Sequence, residues 1–482
     1  MILDNPALWL FAAIALPGAL IAVRYWRGAL LGVFVLMVFE GALRKWVFPW
    51  AQAQIYLMKD AILLAVYLGF ILESRRTILP VRGAGAIKAI LVASFLFGVL
   101  EVFNPNSPSV LVGLMGLKAY FLYAPVAFIL PYAFKSREHL FILIRRYIIM
   151  AIPVAVLGFL QIMAGPESSL NTYVSHSEDA PALLAHFGST EDLVRTAGTF
   201  SYISGYTAFL GFVGFLAIGF NMAQGWKLKR NMRPVLALTL VVGAMFTTGS
   251  RAPVYILLAG APVILWLAAT SRVLHARTAM RLMFLLPIMA LIAVNVSPQA
   301  FQAFMERASE ADSSYTFMRM FSPIDQTMGA LSDAPALGIG IGTTHPSALT
   351  IMGVEFPWWL DDNLLTEDEM ARVTVELGLI GLLVTYVVRL LVAVFAVRCA
   401  TSFKDPAYRA LGIALAVHLT VGIISPIILN ATAGLYYWGS LGVLLAMQRM
   451  ERSVNVRSKS VPVRKFERTI RPRPITAPRG TV

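Results

Sequence analysis

The 482-residue chain has one cysteine and six histidines, and only 14% of its residues are Asp, Glu, Lys or Arg, against roughly 25% in a soluble globular domain. The single thiol, Cys399, excludes an intramolecular disulfide and a thiolate metal cluster. No His, Cys, Asp and Glu set has the short spacing of a zinc site, so the expectation is no metal and no cofactor. No internal repeat is visible, which weighs against transporter folds built from two related halves. Neither a basic stretch nor a small-residue cleavage site accompanies the first apolar run, which therefore reads as a span rather than a removed signal peptide.

What is abundant is hydrocarbon. Hydrophobic residues make up 58% of the chain, and the mean hydropathy is +0.72. About 280 apolar residues, at ~20 per crossing, allow at most about fourteen spans. A soluble enzyme with one buried core is excluded, and so is a long disordered protein. The expected fold is an all-α polytopic membrane protein with about 12–13 transmembrane helices. The spans fall near 6–23, 28–43, 55–72, 86–103, 110–133, 140–164, 197–220, 234–248, 253–270, 282–297, 372–396, 409–428 and 434–449. The second and eighth are short enough to be tilted, half-inserted or broken. Residues 1–297 form a transmembrane bundle with a smaller outer loop at 165–196, residues 298–371 a large loop, 372–448 the C-terminal helices, and 449–482 a basic tail.

The net charge of +14 follows the positive-inside rule and calls for no nucleic acid. Connections 73–88, 224–233 and 271–281 are basic, and the tail carries ten Lys and Arg against Glu451 and Glu467. All four fall on one side of thirteen spans, which makes that side cytoplasmic and both long loops external. The tail contains four prolines and no apolar periodicity, so it is expected to be a disordered segment against anionic headgroups.

Against this pattern, several cations stand at the outer boundary: Arg44 and Lys45, Arg195, Arg251, Arg319 and Arg372. One reading has them snorkel to headgroups or pair with Glu40, Asp60, Glu306 or Glu369. The other makes them a diphosphate site, because arginine binds phosphate oxygens bidentately and keeps its charge. Lys118, inside the fifth span, either joins that site or pairs with Glu101. Glu369, Arg372 and Glu376 are spaced along one helix face, so the acids are either a favourable first turn or the source of a general base. His345 lies upstream in the same loop, behind the glycines of Leu337-Gly-Ile-Gly-Ile-Gly342. That segment has no preceding strand and no following Lys-Ser/Thr, so a close-packed turn outweighs a phosphate cradle. Trp358-Trp359 reads as an interfacial anchor or a sugar-stacking platform.

Three stretches carry a family resemblance. Arg195-Thr-Ala-Gly-Thr-Phe200 enters a mid-chain span, and Thr247-Thr-Gly-Ser-Arg-Ala252 sits at the outer end of a later one. Asp333-Ala-Pro-Ala-Leu-Gly-Ile-Gly-Ile-Gly342 is followed by Glu376-Leu-Gly-Leu-Ile-Gly381. In order and spacing these resemble the O-antigen ligase and Wzy-type polymerase superfamily of bacterial envelope glycosyltransferases. The resemblance covers about residues 190–400. It implies a GT-C-like helical fold, a large periplasmic loop, an inner-membrane location and a metal-independent transfer from an undecaprenyl-diphosphate-linked glycan. Arg195, Arg251 and Arg319 would then hold the diphosphate, joined by Arg372, Arg44 and Lys45.

Ligases of the family show a His-Asn pair about ten residues before the Glu-x-Gly-x-x-Gly stretch, where this chain has Thr366-Glu-Asp-Glu369. Glu369 is the expected base in its place, with His345 as the other catalytic candidate. The departure favours a polymerase of exopolysaccharide, capsule or O-antigen repeat units. A ligase acting on another acceptor remains open, as does a flippase or transporter of lipid-linked glycans. Expected partners are the bilayer and the lipid-linked glycan, with chain-length regulators or export proteins as candidates.

Overall fold

The structure, a computed structural model, describes residues 16–74, 84–174, 184–187, 190–226, 228–273, 298, 301–302, 305, 313–361, 364, 366 and 368–460. Within these, side chains at 190–192, 228–230, 313–320 and 454–460 are not described. The protein is an all-α polytopic membrane protein. Among the described residues seven helices are long and apolar enough to cross a membrane, and Asn231–Thr247 and Pro406–Val421 are shorter apolar helices.

The helices are α1 (Trp26–Ala42), α2 (Gln52–Ser74), α3 (Gly85–Glu101), α4 (Val110–Phe121), α5 (Arg137–Ala164), α6 (Ile203–Ala223), α7 (Leu228–Thr247) and α8 (Arg251–Thr270). They continue as α9 (Ser313–Asp333), α10 (Ser347–Met352), α11 (Glu369–Ser402), α12 (Pro406–Val421) and α13 (Ala431–Ser460). All but α9 and α10 coincide with expected spans. The expected span at 6–23 is described only from residue 16, and the one at 282–297 lies outside the described residues.

Three expectations are corrected. The second span is not short, because after Ala42 the backbone continues as a π-helical turn, Leu43–Val47, which carries Arg44 and Lys45. A two-stranded antiparallel hairpin, β1 (His186–Phe187) and β2 (Thr190–Val194), stands between α5 and α6, where only a loop was expected. The tail begins as helix, since α13 runs on to Ser460; residues 461–482 lie outside the described set.

α6 forms the centre, with 78% of its apolar window buried. It packs against α12, α7, α8 and α13. Phe212 stacks on Tyr436 of α13 at 4.4 Å between ring centroids, and His418 of α12 meets the Phe212 ring edge-on. α1 pairs with α2 at one flank, while α9 lies along α11 at another.

The helix α11 is broken on purpose by its sequence. Gly378 sits at φ 62°, ψ −165°, a conformation open to glycine and strained for other residues. The break frees carbonyls that a continuous helix would use internally. Val375 O accepts from Ile339 N at 2.9 Å and Glu376 O from Gly340 N at 3.0 Å. Gly338 packs its backbone on that of Glu376, and Gly378 lies under the Ala336 carbonyl. The glycine-rich segment is thus a close-packed turn, with Gly342 seated against Val112 and Gly116 of α4.

Candidate functional site

The hairpin delivers Arg195 into a sharply built turn. Its backbone N–H donates to Ala185 O at 2.8 Å, directly after β2. Its guanidinium donates from Nε to Thr248 O at 2.9 Å and from Nη2 to Ser250 Oγ at 2.8 Å. Gly249, at φ 62°, lies beneath it, and a Cβ there would stand 2.8 Å from Arg195 Cγ. The Thr-Thr-Gly-Ser-Arg stretch is therefore shaped around the Arg195 side chain. Thr196 and Thr247 are joined through backbone at 3.0 Å and hydroxyls at 2.7 Å. Arg251 then opens α8 immediately after Ser250. Two motifs fifty residues apart are stapled into one unit.

The π-helical turn meets the same unit. Lys45 Nζ donates to Gly198 O at 2.8 Å, and Arg44 Nη1 to Ser201 Oγ at 3.0 Å. Gln161 of α5 brackets Gly198, accepting from its N–H at 2.8 Å. The approach depends on Gly41, where a Cβ would fall 2.1 Å from Ser201 N. Arg44, Lys45 and Arg195 thus gather around residues 195–201 at one end of the bundle, and Arg251 follows the Ser250 that Arg195 holds.

Behind them lie further charges, of which sequence reasoning names Glu40, Asp60 and Lys118 and misses Lys59. Lys59, 1% exposed, pairs with Glu40 at 2.9 Å, and Arg44 reaches the other Glu40 oxygen at 3.3 Å. Lys118 pairs with Asp60 at 2.7 Å, not with Glu101, whose carboxylate accepts from Asn104 Nδ2. Tyr123 also donates to Asp60, at 2.9 Å. Lys59, Lys118 and Arg44 surround the Tyr56 ring at 3.8, 4.3 and 5.2 Å from its centroid. The signal was present in the adjacent Lys59-Asp60, since ionisable residues inside a span are costly and mark function.

The acids divide differently from their spacing. Glu369 does not sit beside Arg372; it is buried against Arg389, twenty residues along α11. Its oxygens also accept from the backbone N–H groups of Ile427 (3.1 Å), Ile428 (2.7 Å) and Leu429 (3.4 Å). Arg389 completes the knot by donating to the carbonyls of Ile423 and Ser425. Arg372 faces the other way, to Thr366 O at 2.8 Å and Thr344 O at 3.3 Å. Glu376 accepts from Thr344, through its N–H at 3.0 Å and its hydroxyl at 2.6 Å. No face of α11 therefore carries all three in one constellation.

His345 is 8% exposed, and burial together with the positive charges of Lys118 and Arg372 lowers its pKa to about 4. Its Nδ1 accepts from Ser347 N at 3.0 Å, so the proton of the neutral ring resides on Nε2. Trp359 donates to Thr343 O at 3.1 Å, while Trp358 is 68% exposed beside it. Trp359 is thus bolted to the loop, and Trp358, packed edge-to-face on it, is the more exposed ring of the pair. Arg319 lies in α9, and its side chain is outside what is described.

A pocket with about 540 Å³ of empty space opens beside this cluster. Glu40, Arg44, Tyr56 and Lys59 form one wall, and Ser201, Tyr202, Asn430 and Thr432 the facing one. Ser204 and Asn430 also line a second, more apolar pocket of about 810 Å³, which reaches Ala252 and Pro253 just after Arg251. Polar and apolar spaces meet there, below the cations.

Comparison with known proteins places these motifs. No curated protein matches the chain. Residues 235–386 match the family model described as O-antigen ligase. That segment takes in the Thr247–Ala252 turn, α9, the glycine lock and the kink at Gly378. Over that stretch, less than half of its length, the chain is similar to the O-antigen ligase family.

Proposed function

We propose that the protein is a metal-independent polymerase of the bacterial inner membrane. It joins undecaprenyl-diphosphate-linked oligosaccharide repeat units of an exopolysaccharide, capsule or O-antigen on the periplasmic face. The observation that carries this reading is the gathering of Arg44, Lys45 and Arg195 around residues 195–201, with Arg251 next along the chain from Ser250, beside an apolar pocket. A diphosphate needs the first, and an isoprenoid chain needs the second. The chain's Thr366–Glu369 in place of a His-Asn pair favours polymer growth over transfer to a different acceptor.

In this reaction a sugar hydroxyl of one repeat unit attacks the anomeric carbon of another. The bond to the lipid diphosphate breaks, and its electron pair stays on the diphosphate. The fixed guanidinium groups stabilise the charge that grows there, the contribution that usually dominates such catalysis. His345, neutral and carrying its proton on Nε2, is suited to donate to a glycan or phosphate oxygen. The Arg389-bound Glu369 holds the start of α11 against residues 427–429.

Product length decides the reading. Reconstituted vesicles given only a lipid-linked repeat unit should release long polymer. A single transfer to an added acceptor would make the protein a ligase, and relocation without new bonds a flippase. Arg195→Ala and Arg251→Ala should each cut polymer at least ~10²-fold at unchanged protein level, the scale of losing one transition-state electrostatic contact. The Arg→Lys variants should recover little, because an ammonium lacks the planar fork.

A further inference from the structure

We propose that Glu40 is the catalytic proton acceptor of this transfer, a role that rests on the glycosyl-transfer reading above. A base must reach the attacking hydroxyl from an accessible space, beside the group that holds the leaving diphosphate. Glu369 fails this geometrically: it is enclosed by Arg389 and three backbone N–H donors, and it lines none of the pockets described above. Glu40 meets the condition. It is 5% exposed, yet it lines the 540 Å³ pocket with Arg44, Lys59 and Tyr56.

Each Glu40 oxygen meets one cation, Arg44 Nη1 on Oε1 and Lys59 Nζ on Oε2, which leaves lone pairs for a hydroxyl. Those two contacts fix the orientation of the carboxylate. A second observation points to a missing ligand. Arg44 Nε is buried and has no hydrogen-bond partner among the described residues, although Nη1 of the same side chain serves both Glu40 and Ser201. The rest of the pocket suits a sugar: Tyr202, 48% exposed, offers an aromatic ring, and Ser201, Asn430 and Thr432 offer hydroxyl and amide groups.

The step balances simply. The acceptor oxygen forms the new bond to the anomeric carbon, its proton passes to Glu40, and the electron pair of the broken bond stays on the lipid diphosphate. The proton then leaves Glu40 to water.

The test separates a base from a mere counter-ion. Full-length Glu40→Gln, Glu40→Asp and the double variant Glu40→Gln/Lys59→Gln are reconstituted with a lipid-linked repeat unit, and turnover and donor binding are measured. Glu40→Gln should lower turnover at least ~10²-fold, in the range of lost general-base catalysis, with donor binding changed less than about threefold. The double variant removes the Glu40–Lys59 pair together, so Lys59 is not stranded and Arg44 keeps its bond to Ser201, and it should stay as slow. Recovery of more than about a tenth of wild-type turnover in the double variant would show that Glu40 only neutralises Lys59, given the ~10²-fold minimum expected for a base. Should both glutamine variants fail to accumulate, Glu40→Asp keeps the charge but withdraws the oxygens. It should accumulate and lose at least about tenfold in turnover, and full activity there would equally overturn the assignment. A wild-type protein that joins no sugars at all would sink the glycosyl-transfer reading itself, whereas an active wild type with an active Glu40→Gln sinks this inference alone.

Discussion

Replacing Glu369 by glutamine would strand Arg389, 2% exposed, without a counter-charge and weaken three backbone hydrogen bonds. Removing one partner of a buried pair costs about 3–5 kcal/mol. Glu369→Gln should therefore lower the thermal midpoint and the yield of folded protein in detergent. Wild-type melting with lost turnover would instead return Glu369 to the role of base. His345 gives a pH signature. Its folded pKa of about 4 lies below the ordinary 6.5, so the unfolded chain binds the extra proton first as pH falls. His345 thus makes stability drop between pH 6.5 and 4, with no effect above that window. His345→Gln should flatten this part of the melting-versus-pH curve relative to wild type. At this scale the sequence was partly legible. The outer-boundary cations were visible because each opposed the charge bias of the loops. The Glu369–Arg389 pair was not, because Arg389 lies five helical turns away and only the kink at Gly378 makes the two meet.

Among the elements, the join between the outer loop and α11 is made by glycines. A methyl on Gly378 would lie 2.1 Å from Ala336 O, at a backbone angle that alanine rarely adopts. Gly378→Ala should cost at least about 1–3 kcal/mol, read as a lower thermal midpoint. Gly329→Ala in α9 is the control: nothing lies within 4 Å of its Cβ position, and it should be neutral or slightly stabilising. Equal losses from both would mean that the lock contributes nothing particular. Hydropathy placed the helices well, since a crossing needs a long apolar run whatever its neighbours are. It could not show that Ile339-Gly340 bonds to Val375-Glu376, because that pairing joins irregular backbone across more than thirty residues of intervening chain. The π-helical turn at 43–47 was hidden for a similar reason, as its sequence is that of an ordinary helix end.

For the whole molecule, the basic loops predict an orientation. Reporter fusions after residues 230 and 455 should read as cytoplasmic and fusions within 298–371 as periplasmic, following the loop-charge rule. A cytoplasmic signal from 298–371 would put Arg195, Arg251 and the glycan on opposite faces and end the proposed reaction. The lock at Gly338 and Gly378 also bears on how such a protein can change its substrate over time. The loop is mounted through peptide groups, Ile339 and Gly340 N–H to the carbonyls of Val375 and Glu376, and through Thr344, whose N–H and hydroxyl donate to Glu376; the side chains of Phe356 and Trp358 make none of these bonds. Exposed positions there, Phe356 and Trp358 among them, can therefore be exchanged without loosening the mount. Variation of this exposed surface is uncoupled from the bonds that hold the loop, so single substitutions can change what it presents on a scaffold that need not be rebuilt.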